Sequence, residues 1–152
     1  MNPLEILRKE HAIIQKHVSE LDEMTYSVSV NVRDFSFLFR EILRLLEMHE
    51  KKEELMFEVL SASGIEMPVE NIKLDYGEFK EKCDAVLKAL NRGKEEEIKS
   101  VLYGVCTELV DRIKAHVMAE EQIFDKINWS KIDKKTLEKI ELLQILPSRR
   151  LL

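Results

Sequence analysis

The chain has 152 residues, of which 35% are charged, with a formal net charge of −5 at pH 7 and only four glycines and three prolines. This length suits one domain with a sizeable core, and the composition is typical of helices. Because no Lys/Arg stripe is visible, we expect no nucleic-acid partner. Because no apolar run approaches the roughly 20 residues of a membrane span, we expect no membrane association. The N-terminal segment lacks the layout of a signal peptide, so we expect a cytoplasmic protein.

Two helices are predicted in the first half of the chain. The first begins at Asn2 as N-cap, with Pro at the first helical position, and fades near Tyr26. The second is predicted to be capped by Asp34 and to end at the SASG segment, where Gly64 suits a left-handed cap.

Two further long helices and a short one are predicted in the second half. The third carries an apolar stripe from Ile72 to Leu90 and stops at the NRG segment, 91–93. The fourth runs from about Lys94 to Ile127, and the short fifth runs from Lys134 to roughly Gln144. Short connections between long helices favour antiparallel neighbours, so we predict an all-α, up-down-up-down four-helix bundle. It forms a single domain over 1–152, with a core at 2–129 and a C-terminal helix and tail at 130–152.

Polar residues interrupt the apolar stripes of three predicted helices. His11 lies on the first stripe, and two His-x3-Glu pairs lie on the second and fourth: His49 with Glu53, and His116 with Glu120. Counting residues through the first connection places His11 and His49 at the same height. The height of His116 is less well determined, because counting residues from Lys94 places it about two helical turns beyond that level. Predicted apolar layers flank this polar layer: Ile14, Leu45, Phe79 and Ile113 on one side, and Leu7, Met56, Ile72 and Ile123 on the other.

A buried layer of this kind predicts a metal site. Two unpaired carboxylates would each cost several kcal/mol, and no Lys or Arg on the stripes is an obvious partner. The charges of Lys51, Lys52 and Glu54 are expected on the solvated face of the second helix. Three imidazoles and two carboxylates suit iron or manganese better than magnesium or calcium. The alternative is two partly exposed His–Glu pairs, worth a few tenths of a kcal/mol each.

The segments LRKEHAIIQKHV, HEKKEELMF and HVMAEEQIF, which contain these residues, resemble the hemerythrin-like family of HHE cation-binding domains. The resemblance covers about Asn2 to Trp129. It implies a non-haem di-iron centre, with the two glutamates bridging the irons and the histidines as terminal ligands. One iron instead of two, and substitution by Mn or Zn, stay open. The family includes oxygen carriers, redox sensors, and proteins that handle nitric oxide, peroxide or iron–sulfur repair. A small diatomic ligand or peroxide is therefore the expected partner.

The chain departs from the family pattern on its third helix, where Tyr76 stands in place of a histidine. One hypothesis is that the phenol ligates or hydrogen-bonds at one iron, which would favour the ferric state. The other is that Tyr76 is an ordinary core residue. Asp75 and Glu78 are fallback oxygen ligands.

Several other interpretations follow from the sequence. The ferritin-like Glu-x-x-His pattern is absent, because Arg8, Ile14, Leu46 and Ile113 lie three residues before the four histidines. His17 is expected on the surface, and Cys83 and Cys106 as buried, reduced residues. The apolar tail fits packing across the bundle or onto a second subunit, so monomer and homodimer are both retained. Carrier, sensor and enzyme are not distinguished, and a sensor is expected to need a partner chain. The alternative function is a metal-depleted bundle that acts as an interaction or signalling module.

Overall fold

The computed structural model describes the backbone of residues 3–66 and 76–150, and the side chains of 4–66 and 77–142. Within these ranges all regular structure is helical. The elements are α1 (Pro3–Thr25), α2 (Val32–Ala62), α3 (Tyr76–Arg92), α4 (Glu95–Tyr103), α5 (Val105–Lys126), a 3₁₀ turn (Trp129–Lys131) and α6 (Lys134–Arg150). The predicted all-α class is confirmed for these residues.

The helix α2 begins earlier than predicted. Asn31 is its N-cap, and the Asn31 side-chain oxygen accepts a hydrogen bond from the Asp34 backbone N–H at 3.1 Å. The expectation that Asp34 caps this helix was wrong. Asp34 lies in the first turn instead, where its carboxylate interacts favourably with the helix dipole. At the other end, α2 stops at Ala62 and Gly64 has φ +87°, which confirms the predicted left-handed glycine.

The predicted fourth helix is two helices, α4 and α5, because the chain breaks at Gly104. This glycine has φ −105° and ψ −78°, and its N–H still donates to the Ser100 carbonyl at 3.1 Å. A Cβ at position 104 would lie only 3.1 Å from that same carbonyl oxygen. Glycine therefore allows a close backbone approach at the bend, as is common at helix kinks.

The helix α1 packs against both α2 and α5, while α3 packs against α4 and α5. Two ion pairs give the direction of the α1–α5 contact. Arg8 contacts Glu121 at 3.0 Å near the start of α1, and Asp22 contacts Lys114 at 3.3 Å near its end. Because the numbers rise on one helix as they fall on the other, α1 and α5 are antiparallel.

Two apolar clusters form the core, and a polar layer separates them. The larger cluster includes Ile14, Phe79 and Ile113, as the predicted upper layer requires, while Leu45 is only partly buried. The smaller cluster includes the predicted Leu7, Met56 and Ile123. The remaining predicted member, Ile72, lies outside the described residues.

The C-terminal helix α6 closes the smaller cluster. It packs against α2 and α1, with Ile140 fully buried and the Thr136 and Ser63 hydroxyls 3.1 Å apart. The described part of the tail thus packs across the helices of its own chain. Its backbone stays helical to Arg150, through Pro147 and beyond the predicted end near Gln144. No helix in the described parts of the chain combines the length and the apolar character that crossing a membrane requires.

Candidate metal centre

Five of the six residues predicted to bind metal meet in the polar layer between the two clusters. They come from α1 (His11), α2 (His49, Glu53) and α5 (His116, Glu120), and each is less than a tenth exposed. The residue count alone leaves the height of His116 undetermined. The antiparallel α1–α5 contact, with Arg8 paired to Glu121 and Asp22 to Lys114, brings it to this layer. Along α1, α2 and α5, the buried charged and imidazole side chains that the structure describes thus lie at one height.

A first group of four side chains could hold a cation: His11, His49, Glu53 and Glu120. One potential ligand atom from each lies within 4.8 Å of the others. The His11 Nε2 is 3.3 Å from a Glu53 oxygen and 3.8 Å from a Glu120 oxygen. The His49 Nε2 contacts Glu53 and lies 4.0 Å from the other Glu120 oxygen. Nitrogen and oxygen atoms from α1, α2 and α5 therefore converge on one point.

A second group shares the two glutamates of the first. It consists of Glu50, Glu53, His116 and Glu120, again within 4.8 Å of one another. The His116 Nε2 is 2.6 Å from Glu50 and 2.6 Å from Glu120. Glu53 and Glu120 thus lie between two potential cation positions. Glu50 was not predicted, because it lies next to His49 and off the apolar stripe of α2.

Several atoms in this layer have no hydrogen-bond partner although they are fully enclosed. These are both carboxylate oxygens of Glu120 and the Nε2 of His49. Oppositely charged atoms lie within ion-pair distance of them, but not in a geometry that makes a hydrogen bond. A buried carboxylate with no donor costs more than the 1–3 kcal/mol of a neutral polar group. Lone pairs that converge without donors are the arrangement that a cation would satisfy.

Carboxylates outside the layer orient two of the imidazoles through their other ring nitrogen. The His11 Nδ1 is 2.6 Å from Glu121, and the His49 Nδ1 is 3.2 Å from Glu10. A hydrogen bond from Nδ1 to a carboxylate leaves Nε2 pointing inward with its lone pair available. Each of these carboxylates is adjacent in sequence to a site residue, which is the signal that could have revealed them.

The expectation that Lys52 is exposed to solvent was wrong. The sequence places it on the solvated face of α2, but its side chain is only 3% exposed and its ammonium donates to Glu10 at 2.7 Å. Burial alone would raise the pKa of Glu10, but hydrogen bonds from His49 and Lys52 outweigh it, and the pKa falls below the usual range. Glu10 is therefore an anion that links a buried lysine to a site imidazole.

The imidazole of His49 is strongly influenced by these carboxylates. Burial alone would lower its pKa, but the neighbouring carboxylates of Glu10 and Glu53 outweigh this and raise the pKa to about 9. The pKa of Glu53 is lowered although burial opposes it, because the imidazoles of His11 and His49 lie directly against its carboxylate. The carboxylates around His49 thus favour a positive charge at its Nε2, which is a proton in the metal-free chain and would be replaced by a bound cation.

Ring packing fixes the orientation of the first group. His11 stacks on Phe124, with centroids 5.5 Å apart and planes 8° apart, and its ring lies 4.4 Å from that of His49. Phe124 belongs to the smaller apolar cluster. The imidazole of His11 is therefore held between an aromatic face and the second histidine, with little freedom to rotate.

The other candidate residues lie elsewhere or outside the described residues. Tyr76 is the first residue of α3, but its side chain is outside the described part, as is the whole of Asp75. Glu78 forms an ion pair with Arg112 at 2.6 Å and belongs to neither group. His17 is half-buried and also belongs to neither. The cysteines are free and buried, as predicted.

The chain matches a family described as "Hemerythrin: Hemerythrin HHE cation binding domain", over residues 2–127. This range contains every residue of both four-residue groups and ends before α6. No curated protein and no solved structure matches the chain significantly.

Proposed function

Because the chain belongs to the hemerythrin family of HHE cation-binding domains, we propose that its buried polar layer holds a non-haem di-iron centre. His11, His49 and His116 are the proposed terminal ligands, and Glu53 and Glu120 the proposed bridging ligands. The observation that carries this proposal is the sharing of both glutamates by two overlapping four-residue groups. A carboxylate between two cation positions can give one oxygen to each.

The donors themselves fit a metal. The enclosed oxygens of Glu120 and the Nε2 of His49 lack hydrogen-bond partners, and a cation would replace the missing donors. Mixed imidazole and carboxylate donors suit iron, while Mn and Zn accept the same donor types. Iron in such a layer would supply redox chemistry toward a small ligand such as O₂, NO or peroxide.

The residues around the layer support that chemistry because they hold its imidazoles in position and restrict water. Glu10 and Glu121 fix the imidazoles of His49 and His11 from outside. The apolar clusters on both sides restrict water, which strengthens every charge interaction within the layer. Such a site suits redox sensing, detoxification or iron handling.

We also propose the finer architecture: an up-down-up-down bundle of α1, α2, α3 and the bent α4–α5 unit, forming one domain over 1–152. The contacts that support it are antiparallel pairs. Besides the α1–α5 pairs, Glu78 contacts Arg112 and Lys82 contacts Glu108, which makes α3 and α5 antiparallel. Monomer and homodimer both stay compatible with the proposal, and no nucleic-acid partner is proposed.

The hypothesis that Tyr76 ligates or hydrogen-bonds at one iron stays a prediction. Its test is optical. A broad visible phenolate band in the iron-loaded protein, lost in Tyr76→Phe, would support ligation by the phenol. An unchanged spectrum in Tyr76→Phe would leave Tyr76 as a core residue.

The main experiment is anaerobic loading of the metal-free chain with Fe²⁺, followed by metal analysis and optical spectra after exposure to air. We expect about two irons per chain, and a loss of both in the double variant Glu53→Gln/Glu120→Gln. Glu54→Gln is the matched control, because Glu54 is an exposed glutamate of the same helix. A wild-type chain that stays colourless and binds no metal would refute the proposal and favour the metal-depleted interaction module.

A further inference from the structure

In the second group, Glu50 takes the place that a second histidine has in the first group. It follows His49 on α2, so its side chain points about 100° further round the helix. His49 contacts Glu10 of α1, whereas Glu50 reaches α5 and lies 2.6 Å from the Nε2 of His116. Adjacent residues of one helix thus serve the two different groups.

The two groups differ in the donors that they do not share. Besides Glu53 and Glu120, the first group has two imidazoles, His11 and His49. The second has one imidazole, His116, and one further carboxylate, Glu50. The second position is therefore the more anionic and offers more hard oxygen donors.

We propose that Glu50 is a metal ligand of the second position, and that the two positions are chemically unequal. This inference rests on the proposed function, since it requires that the layer binds metal. Imidazole suits Zn²⁺ and Fe²⁺, whereas carboxylate oxygen suits Mn²⁺. The histidine-rich position binds Zn²⁺ preferentially, and the Glu50 position takes up Mn²⁺ when the first is filled by Zn²⁺.

Two further observations separate this arrangement from a chance cluster of acidic residues. The Glu120 carboxylate at its centre is completely buried, and neither of its oxygens accepts a hydrogen bond. The side chain of Glu50 is only 18% exposed and lies against the ring nitrogen of His116. Three carboxylates within 4.8 Å of one another repel strongly unless a cation lies between them.

The test is a metal titration of the full-length, metal-free chain, with binding followed by calorimetry and metal analysis. We expect the wild type to bind one Zn²⁺ and then one Mn²⁺, with the bound Mn²⁺ visible in its electron paramagnetic resonance spectrum. Glu50→Ala and the size-conserving Glu50→Gln should weaken the Mn²⁺ step at least about ten-fold, the lower limit for loss of even an outer partner. The Zn²⁺ step should be unchanged.

Two variants provide the comparison. Glu54→Gln should bind both metals like the wild type, and His49→Ala should weaken the Zn²⁺ step first. Circular dichroism of each metal-free variant establishes that it is folded, and Glu50→Gln keeps the side-chain volume if Glu50→Ala does not fold.

The outcomes distinguish this inference from the proposed function. If the wild type binds neither metal, the proposed function fails and this inference with it. If the wild type binds two metals and both folded Glu50 variants bind them with unchanged affinity, only the role of Glu50 is refuted. If the zinc-loaded wild type takes up no Mn²⁺, the inequality of the two positions is refuted.

Discussion

Replacing Glu120 by glutamine should remove most of the stabilisation that metal gives to the folded chain. Glu120 is completely buried and common to both four-residue groups, so its loss damages both cation positions. A metal that binds only the folded state stabilises it by about 2.7 kcal/mol per site at a free concentration 100 times Kd. If the substitution weakens Kd about 100-fold, the gain at the same concentration falls to about 0.4 kcal/mol.

The assay is thermal unfolding with and without anaerobic Fe²⁺, comparing the metal-induced change within each variant. For a chain of about 150 residues, 1 kcal/mol corresponds to roughly 2–4 °C in Tm. With both positions filled, these gains are about 5.4 and 0.8 kcal/mol, so the wild type should gain about 11–22 °C in Tm and Glu120→Gln about 2–3 °C. Because each protein is its own reference, effects of the substitution on the metal-free chain cancel.

The exposed Glu54 offers the matched control, since Glu54→Gln makes the same chemical change on a solvated face. It should keep the full metal-induced gain. An equal gain in wild type and Glu120→Gln would show that the ion stabilises the chain from somewhere other than the buried layer. That result would contradict the reasoning from the unpaired oxygens.

Three further predictions concern a residue beside the site, the two buried cysteines and an exposed turn. Glu10→Gln should weaken metal affinity about 10–100-fold through its imidazole partner. A metal titration against Glu54→Gln checks this, and unchanged affinity would exclude Glu10 from positioning the ligand. Burial raises the pKa of the Cys83 and Cys106 thiols to about 12. At pH 8 their thiolate fraction is then roughly 1,000-fold below that of an exposed thiol, whose pKa is ordinarily about 9. Iodoacetamide should label both cysteines in urea and neither in the native chain, and rapid native labelling would contradict their burial. Since the raised pKa favours the neutral thiol only in the folded state, this contribution to stability is present below about pH 9 and is lost as the pH rises toward 12. Gly93 has φ +72° with open space around it, so Gly93→Ala should cost about 1–2 kcal/mol of unfolding free energy from backbone strain alone. An unchanged urea midpoint would show that the turn relaxes to accept alanine.

The sequence was sufficient to predict the helices and most of the buried layer, because both depend on helical periodicity. The stripe of α2 places His49 and Glu53 among apolar residues, and the structure buries both. The break at Gly104 could not be predicted in the same way. A single glycine inside an apolar period is compatible with a straight helix, and only the close approach to the Ser100 carbonyl shows why the chain bends there.

Lys52 and Glu50 were missed for a different reason. Each lies off the apolar stripe of α2, where charge normally indicates solvent. In this bundle the neighbours of α2 carry complementary charge at the same height: Glu10 on α1 reaches Lys52, and His116 on α5 reaches Glu50. Pairing between helices decides their burial, and the period of one helix contains no information about it.

The two cation positions also differ in the residues that hold their ligands from outside. This difference determines the order in which metals should bind. Both imidazoles of the histidine-rich position are held from outside by a carboxylate, Glu121 for His11 and Glu10 for His49. Such partners fix ring orientation and raise ligand basicity before any metal arrives. The Glu50 position depends on a partly exposed side chain, and ordering it costs conformational entropy. The preformed position should therefore fill first, and its ion then neutralises part of the shared charge of Glu53 and Glu120 before the second ion enters.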